Sequence, residues 1–482
     1  MAGLACRNAF ARSRRCIRRN YRWFCSFRQF GTQPLASDLS KDEVDSIVRR
    51  NERTVFIGEG AVHSFDSNQL PANSPCEDHY SYAKCNAIGS WFFGVFDGHG
   101  GTHCARSVAR RLFDYSAVSL LPLHRQKELA RSLETEPSLL EWFSNNYVDV
   151  EWNDTFLKSH LASLQRFAAY CVEKHESLAN VRTALQTAFL ALDDDLTREA
   201  SAGQETGQVS VPHVSIVASG SCACMADVRG PHLHLANVGD SAAVLGVCNE
   251  QGVWTSRQIT HEHTIDNADE VKRIRAEHPA KEATTILKAG RLLGQLFPLR
   301  AFGDVRFKWT MKKLQDIIEK YLRVKVVPEG LETPPYLTAK PEVYYHRLTP
   351  NDKFLVIASD GLWEMLSPDQ VVRLVSDHMI GRVTLSQYTP PEGAVVGQVL
   401  QELRLRKQGE SKKPLDVNAA THLIRYAVGG GSHGSHQYIK LASLLGLREG
   451  AARDYHDDVT IVVIYFDSEY LARDSMEHHT SD

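Results

Sequence analysis

The stretch Phe92–Gly101, FFGVFDGHGG, decides how this chain is read. Large apolar side chains run to Phe96, then give way to one carboxylate, Asp97, followed by Gly98, His99 and two more glycines. An apolar run closed by Asp-Gly is ordinarily a buried strand ending in a turn. The same punctuation recurs. Asp240 follows an apolar run in ANVGDSAAVL, Asp360 does so in VIASDGLWE, and Asp457 with Asp458 precedes one in YHDDVTIVV. Glu77 and Asp78 form a further acidic pair in PCEDHY.

One such Asp alone is turn chemistry. Four strand ends of one kind, gathered at one edge of a fold, would place several negative charges together, each raising its neighbours' proton affinity. A cluster of that sort persists when cations occupy it. All-oxygen ligands suit Mg²⁺ or Mn²⁺, whereas zinc or copper would call for Cys or His at short spacing. Two such ions about 3.5–4 Å apart can hold a bridging hydroxide for in-line attack on a phosphate ester. On this reading Asp97 is a ligand, and Gly98 lets its backbone carbonyl approach a metal closely.

Composition agrees with an enzyme in a reducing compartment. Hydrophobic content of 43% and charged content of 23% are ordinary for a soluble globular protein. The longest apolar runs, such as VTIVVIYF, are strand-sized and far short of a bilayer span. The 10 cysteines include no C-x-x-C pair, which argues against a disulfide framework or a zinc site.

The N-terminus differs from the rest. Arg7, Arg12, Arg14, Arg15, Arg18, Arg19, Arg22 and Arg28 precede the first acidic residue, Asp38. An Arg-rich, acid-free segment without lysine reads as a mitochondrial transit peptide, residues 1–36, rather than as a basic nucleic-acid arm. Its removal would take the formal charge from −3 to about −11, which disfavours nucleic acid as a partner.

Beyond it, DEVDSIVRRNE reads as a helical start, and TVFIGEGAVHSF, WFFGVF, HLHLANVG, AAVLGV, FLVIAS and VTIVVIYF read as strands. THCARSVARRLFDY and VRTALQTAFLALDDDL carry apolar residues at helical spacing. SPDQVVRLV opens with Ser367 as N-cap, Pro368 at the first helical position and Gln370 completing a capping box. Strands cluster without strict βαβ alternation, so the expected class is α+β with antiparallel sheets. The expected organisation is a single domain over 37–470 with a flexible tail over 471–482. Surface insertions are expected at Leu123–Asn153, at a helix Lys308–Tyr321 with a Pro-rich tail, and at a basic loop LRLRKQGESKKPLD.

Two other phosphatase patterns occur and are set aside. Cys16–Arg22 and Cys104–Arg110 match Cys-x5-Arg, but lack the glycines of a phosphate cradle. Asp193–Thr197 matches Asp-x-Asp-x-Thr, but closes a run of helical period where that chemistry needs a strand end.

The ordered set EDHY, FDGHGG, ASGSCACM, ANVGDSAAVL, LRAFGD, ASDGLWE and DDVTIVV resembles the metal-dependent type 2C Ser/Thr protein phosphatases. The likeness runs from about Arg53 to Phe466. Within that family, RLLGQLFPLRAFGDVRFKW, TPPYLTAKPEVYYHRL and NAATHLIRYAVG are similar to the mitochondrial branch that acts on pyruvate dehydrogenase. The resemblance implies a β-sandwich of two antiparallel sheets flanked by helices on both sides, with metals at one end. It implies that Asp97 bridges two metals, Gly98 ligates through its carbonyl, Asp360 and Asp457 complete one site, and Glu77 and Asp78 hold waters of the other. Asp240 and Glu364 correspond to residues that support a weaker third ion. His99 matches the proposed general acid, with an orienting role as its alternative.

Many family members carry an arginine four residues before the Glu of ED, where it clamps substrate phosphate; here Asn73 stands there, as in the pyruvate dehydrogenase branch. An amide can hydrogen-bond phosphate but brings no charge. Arg300 is the other basic candidate, with a structural ion pair as its plain alternative. The helix KWTMKKLQDIIEKYL, with Met311, Leu314, Ile318, Tyr321 and Leu322 on one stripe, could form a flap beside the metals or pack on the domain body. The resemblance further implies action in the mitochondrial matrix on the phosphorylated pyruvate dehydrogenase component. It also implies docking on the lipoyl domain of the acetyltransferase core, in some isoforms with Ca²⁺, and pairing with a flavin-containing regulatory subunit. No EF-hand loop pattern is present. The competing readings are the same chemistry on another mitochondrial phosphoprotein, and a catalytically dead scaffold, which the intact Asp97, Asp360 and Asp457 disfavour.

Overall fold

A strand that is apolar on both faces has to be covered on both faces, and the long apolar runs of this chain are used in that way. The computed structural model describes residues 39–479 apart from 132–138, 144–153, 386–387, 389, 391–392, 394, 412–413, 431–434 and 449. The expected transit peptide lies outside the described residues.

In chain order the strands of the two large sheets are β1 (Arg53–Glu59), β2 (Val62–Leu70), β3 (His79–Cys85), β4 (Ser90–Phe96), β5 (Glu141–Trp142), β6 (Ala223–Arg229), β7 (His232–Val238), β8 (Ala242–Cys248), β9 (Trp254–Gln258), β10 (Glu342–Arg347), β11 (Asp352–Ala358) and β12 (Val459–Phe466). One sheet has the order β1-β2-β12-β11-β8-β9, the other β10-β7-β6-β4-β3-β5. Every pairing within them is antiparallel. The expected α+β sandwich is what forms.

Alternation along each strand explains the layers. In β4, Trp91, Phe93 and Val95 join Phe65, Leu245, Leu355 and Ile464 in a core between the sheets. Phe92 and Phe96 point the other way, under the helices His103–Leu120, Asp154–Glu173 and Val181–Ser201. In β12, Val462 and Ile464 face inward, while Ile461 and Val463 meet Val371, Leu423 and Val44 of the helices on the opposite flank. Each such side chain contributes about 1.5–3 kcal/mol on leaving water. The helix Pro368–Leu385 starts as its sequence dictates: Ser367 N–H donates to Gln370 Oε1 (2.8 Å), and Gln370 N–H donates to Ser367 Oγ (3.3 Å). No helix of the described residues is long and apolar enough to cross a membrane.

Three surface expectations are revised. The basic stretch expected as a loop is helical through Ser411, as part of Val396–Ser411, because Leu, Arg, Lys, Gln and Glu are good helix formers. Between Met311 and Leu322 the helix is wound as a π turn over Leu314–Glu319, which shifts the stripe: Leu314, Ile317 and Ile318 are buried while Met311 is half exposed. That face packs into the core with the helix Val211–Ala218, so the plain alternative to a flap is the one observed. The segment expected as a tail is helical over Ser468–His479, with Leu471 buried and Asp474 Oδ2 2.7 Å from an Arg347 guanidinium nitrogen. Asp193 lies within the helix Val181–Ser201 and takes the Lys308 ammonium (2.7 Å), which removes the Asp-x-Asp-x-Thr alternative.

Candidate active site

Antiparallel register carries the acidic residues to one end of the sandwich. His79 pairs with Phe96, so Asp78, just before β3, and Asp97, just after β4, sit side by side. Ala242 pairs with Ala358, and Ala358 with Ile461. Asp240 before β8, Asp360 after β11 and Asp457 before β12 therefore leave the second sheet at that same end. Carboxylate oxygens of Asp97, Asp240 and Asp360 all lie within 4.8 Å of one another.

The electrostatics follow from that crowding. Burial first, then the charges of Asp78, Asp240 and Asp457, hold the Asp97 carboxyl well above its ordinary range. Asp360 is raised likewise by burial, then by Asp97, Asp240, Asp457 and Glu364. Asp78 is raised by burial and by Asp458, and its Oδ2 is buried without a hydrogen-bond partner. Glu364 follows the turn Asp360–Trp363 and adds its charge to both Asp240 and Asp360. Buried like charges and an orphaned carboxylate oxygen are costly alone. Hard divalent cations bound by oxygens are what this donor set fits.

Each residue is anchored locally. Glu77 Oε1 accepts the Gly101 N–H (2.6 Å). Gly98 is glycine for a second reason beyond a free carbonyl: a Cβ there would collide with the Glu77 backbone carbonyl. Asp240 Oδ1 accepts from the Cys222 thiol (3.1 Å). Asp457 Oδ1 accepts the Asp458 N–H (2.8 Å), and its Oδ2 pairs with Arg453.

Asp458, its neighbour, organises a loop. It accepts from the backbone N–H groups of Ala72 (2.5 Å), Asn73 (2.8 Å) and Glu77 (2.8 Å). The Asn73 side-chain amide also donates to it, at 2.9 Å. The Asn73 amide, expected to meet substrate phosphate, is held in this loop by its bond to Asp458.

His99 sits on the short strand Gly98–His99, paired with Gly220–Ser221, and its Nε2 lies 2.5 Å from Asp304 Oδ2. Burial alone would lower the imidazole pKa, but Asp304, then Asp240 and Glu77, outweigh it and raise it. Asp304 was not singled out from the sequence. It adopts the left-handed conformation (φ 49°, ψ 40°), which Asp tolerates better than most residues, and follows Gly303 in the LRAFGD motif. That Gly-Asp turn was the available signal.

Arg300 takes its plain reading. Its guanidinium forms a buried two-point ion pair with Glu270 and donates to the Lys340 carbonyl (2.7 Å). His263, Glu270 and Glu342 also converge within metal-ligand distance, but Arg300 and Arg273 already neutralise Glu270, so this trio is an ion-pair network.

The chain matches the family Protein phosphatase 2C over residues 72–387. It is 38% identical to rat mitochondrial [pyruvate dehydrogenase [acetyl-transferring]]-phosphatase 1, over 94% of this chain and 87% of that protein. It is 39% identical to the human mitochondrial phosphatase 2 of the same name, over 90% of this chain and 84% of the other. A serine-threonine phosphatase 2C of Toxoplasma gondii, of known structure, aligns at 17% identity and a TM-score of 0.42, covering 86% of this chain and 99% of that one. A family match across most of the sandwich, joined to relatives of this identity along nearly the whole sequence, makes the chain a member of the protein phosphatase 2C family.

Proposed function

We propose that this protein is a metal-dependent protein serine/threonine phosphatase of mitochondria that removes phosphate from the pyruvate dehydrogenase component and so reactivates that complex. The observation that carries the chemistry is the convergence of the Asp97, Asp240 and Asp360 carboxylates at one end of the sandwich. The substrate is supported by the names of the rat and human relatives and by their identity along the chain.

Asp97, Asp360 and Asp457, with the Gly98 carbonyl, Glu77 and Asp78, would hold two Mg²⁺ or Mn²⁺ ions, and Asp240 with Glu364 a weaker third. When bound, such ions neutralise the carboxylates, acidify water and draw charge from a phosphoryl group. The residues of the chain do the remainder. His99 would act as proton donor on the leaving side: as the bond from phosphorus to serine oxygen breaks, the departing alkoxide takes the imidazole proton, while the water that bonds to phosphorus gives up a proton that restores the imidazolium. Asp304 holds that imidazole in place from behind.

On the family resemblance of the sequence motifs, we extend the proposal to a matrix location, docking on the lipoyl domain of the acetyltransferase core, a Ca²⁺ contribution to that docking and a flavin-containing regulatory partner. The deciding assay is phosphate release from phosphorylated pyruvate dehydrogenase, with and without its lipoyl domain, in Mg²⁺ or Mn²⁺. Release abolished by chelator and by Asp97→Asn is expected. Activity surviving both would end the metal reading, and release from other mitochondrial phosphoproteins alone would move the substrate.

A further inference from the structure

A phosphate monoester brings about two negative charges to an end of the sandwich already lined by Asp78, Asp97, Asp240, Asp360, Asp457, Glu77 and Glu364. Ions can balance the carboxylates, but an incoming anion also needs a fixed positive group on its approach. Arg300 and Lys308 are buried and engaged by Glu270 and Asp193. Arg453 is placed differently. It lies on the turn Ala452–Asp454, four residues ahead of Asp457, with its side chain 47% exposed and one guanidinium nitrogen on Asp457 Oδ2.

The Asp457 side chain beneath it is only 20% exposed, so the guanidinium covers that carboxylate from the solvent side. The guanidinium is thus on the rim of the acidic cluster, between the carboxylates and solvent. Asp457 engages Nη1, which leaves Nη2 and Nε as donors in the planar fork that suits phosphate oxygens. Asn73, the residue expected to meet the phosphate, has its amide turned to Asp458 at 2.9 Å.

We propose that Arg453 is the phosphate-binding side chain of this site, gripping the substrate phosphoryl oxygens while Asp457 aims its guanidinium. The proposal deepens the phosphatase reading and rests on it.

The test uses the full chain with Mn²⁺, as wild type, Arg453→Ala and Arg453→Lys. Three quantities are measured: the Kd of inorganic phosphate by calorimetry, kcat and KM on a phosphoserine peptide, and the Mn²⁺ binding isotherm without phosphate. Loss of a charge-assisted hydrogen bond should weaken phosphate binding and raise KM by about 10- to 100-fold in the alanine variant. Lysine, which keeps the charge but not the fork, should recover part of that loss. Mn²⁺ affinity should hold. An unchanged phosphate Kd in Arg453→Ala overturns the proposal. So does a parallel loss of about tenfold or more in Mn²⁺ affinity, which would mark Arg453 as a mere support for Asp457. Should the wild type release no phosphate from peptide, the phosphatase reading fails, and the phosphate isotherm still decides the role of Arg453.

Discussion

His99 Nε2 lies 2.5 Å from Asp304 Oδ2, and both side chains press against the bare Cα of Gly220, where an added Cβ would overlap each of them. Three segments far apart in sequence are thereby locked into one unit: the strand end after Phe96, the turn after Ser219, and the left-handed Asp304. If the unit serves to deliver a proton, its loss should depend on the leaving group. Asp304→Asn is expected to slow a phosphoserine peptide by about 10–100-fold, within the range of general acid catalysis. It should leave p-nitrophenyl phosphate, whose leaving group needs no proton, nearly unaffected. Gly220→Ala should behave alike. Equal losses on both substrates would assign Asp304 to the metal centre instead.

Asp97 gives a prediction with two signs. Its carboxyl is crowded by Asp78, Asp240 and Asp457. In metal-free protein, Asp97→Asn removes like-charge repulsion and should raise the melting temperature by about 2 °C, the effect of roughly 1 kcal/mol in a large domain. With Mn²⁺ present the order reverses. Wild type gains about 2.7 kcal/mol at a hundredfold excess over its Kd, whereas the variant should gain far less and lose its activity. Calorimetric scans with and without chelator read both signs.

Arg300 and Glu270 should matter to folding and little to turnover. Removing one partner of a buried ion pair costs about 3–5 kcal/mol, since the other is left uncompensated. Arg300→Met should therefore shift the denaturant midpoint strongly while KM and kcat of the folded fraction stay near wild type. A selective rise in KM would give Arg300 a place in substrate binding.

The second buried pair sets an acid limit. Glu199 accepts from both terminal nitrogens of Arg111 (2.8 and 2.7 Å) and from Ser163 Oγ (2.7 Å). Burial would raise this carboxyl, but Arg111 and Ser163 outweigh it and lower it to about 2. A carboxyl depressed on folding stabilises above its ordinary pKa of 4.5, and that contribution drains away as pH falls from there toward 2. Glu199→Gln should lower stability at neutral pH and flatten its decline below pH 4.5, as denaturant titrations across that window will show. A decline as steep as wild type would assign the acid limit to other groups.

Much of this was legible because antiparallel neighbours share their ends. Asp97, Asp240 and Asp360 each stop or start an apolar run, and register alone then brings them together. The double burial of β4 and β12 was written in their unbroken apolar residues. Strand β6 was less visible, since Asp227 sits buried in its middle and interrupts the run. Asp304 and Arg453 escaped notice because their roles depend on loops folding back over the sheet end. Nor could spacing separate Asp457 from Asp458, or show that Asn73 turns its amide to the latter.

Strand β12, the last strand among the described residues, lies between β2 and β11 in the middle of its sheet, and Asp457 stands two residues before it. A polypeptide that ends before Val459 would leave β2 and β11 each without this partner, two open edges of the kind that template association. The strand that joins those edges also brings Asp457 to the acidic end of the sandwich. A chain truncated before Val459 is expected to lack activity and to self-associate, as a phosphatase assay and light scattering on that truncation would read.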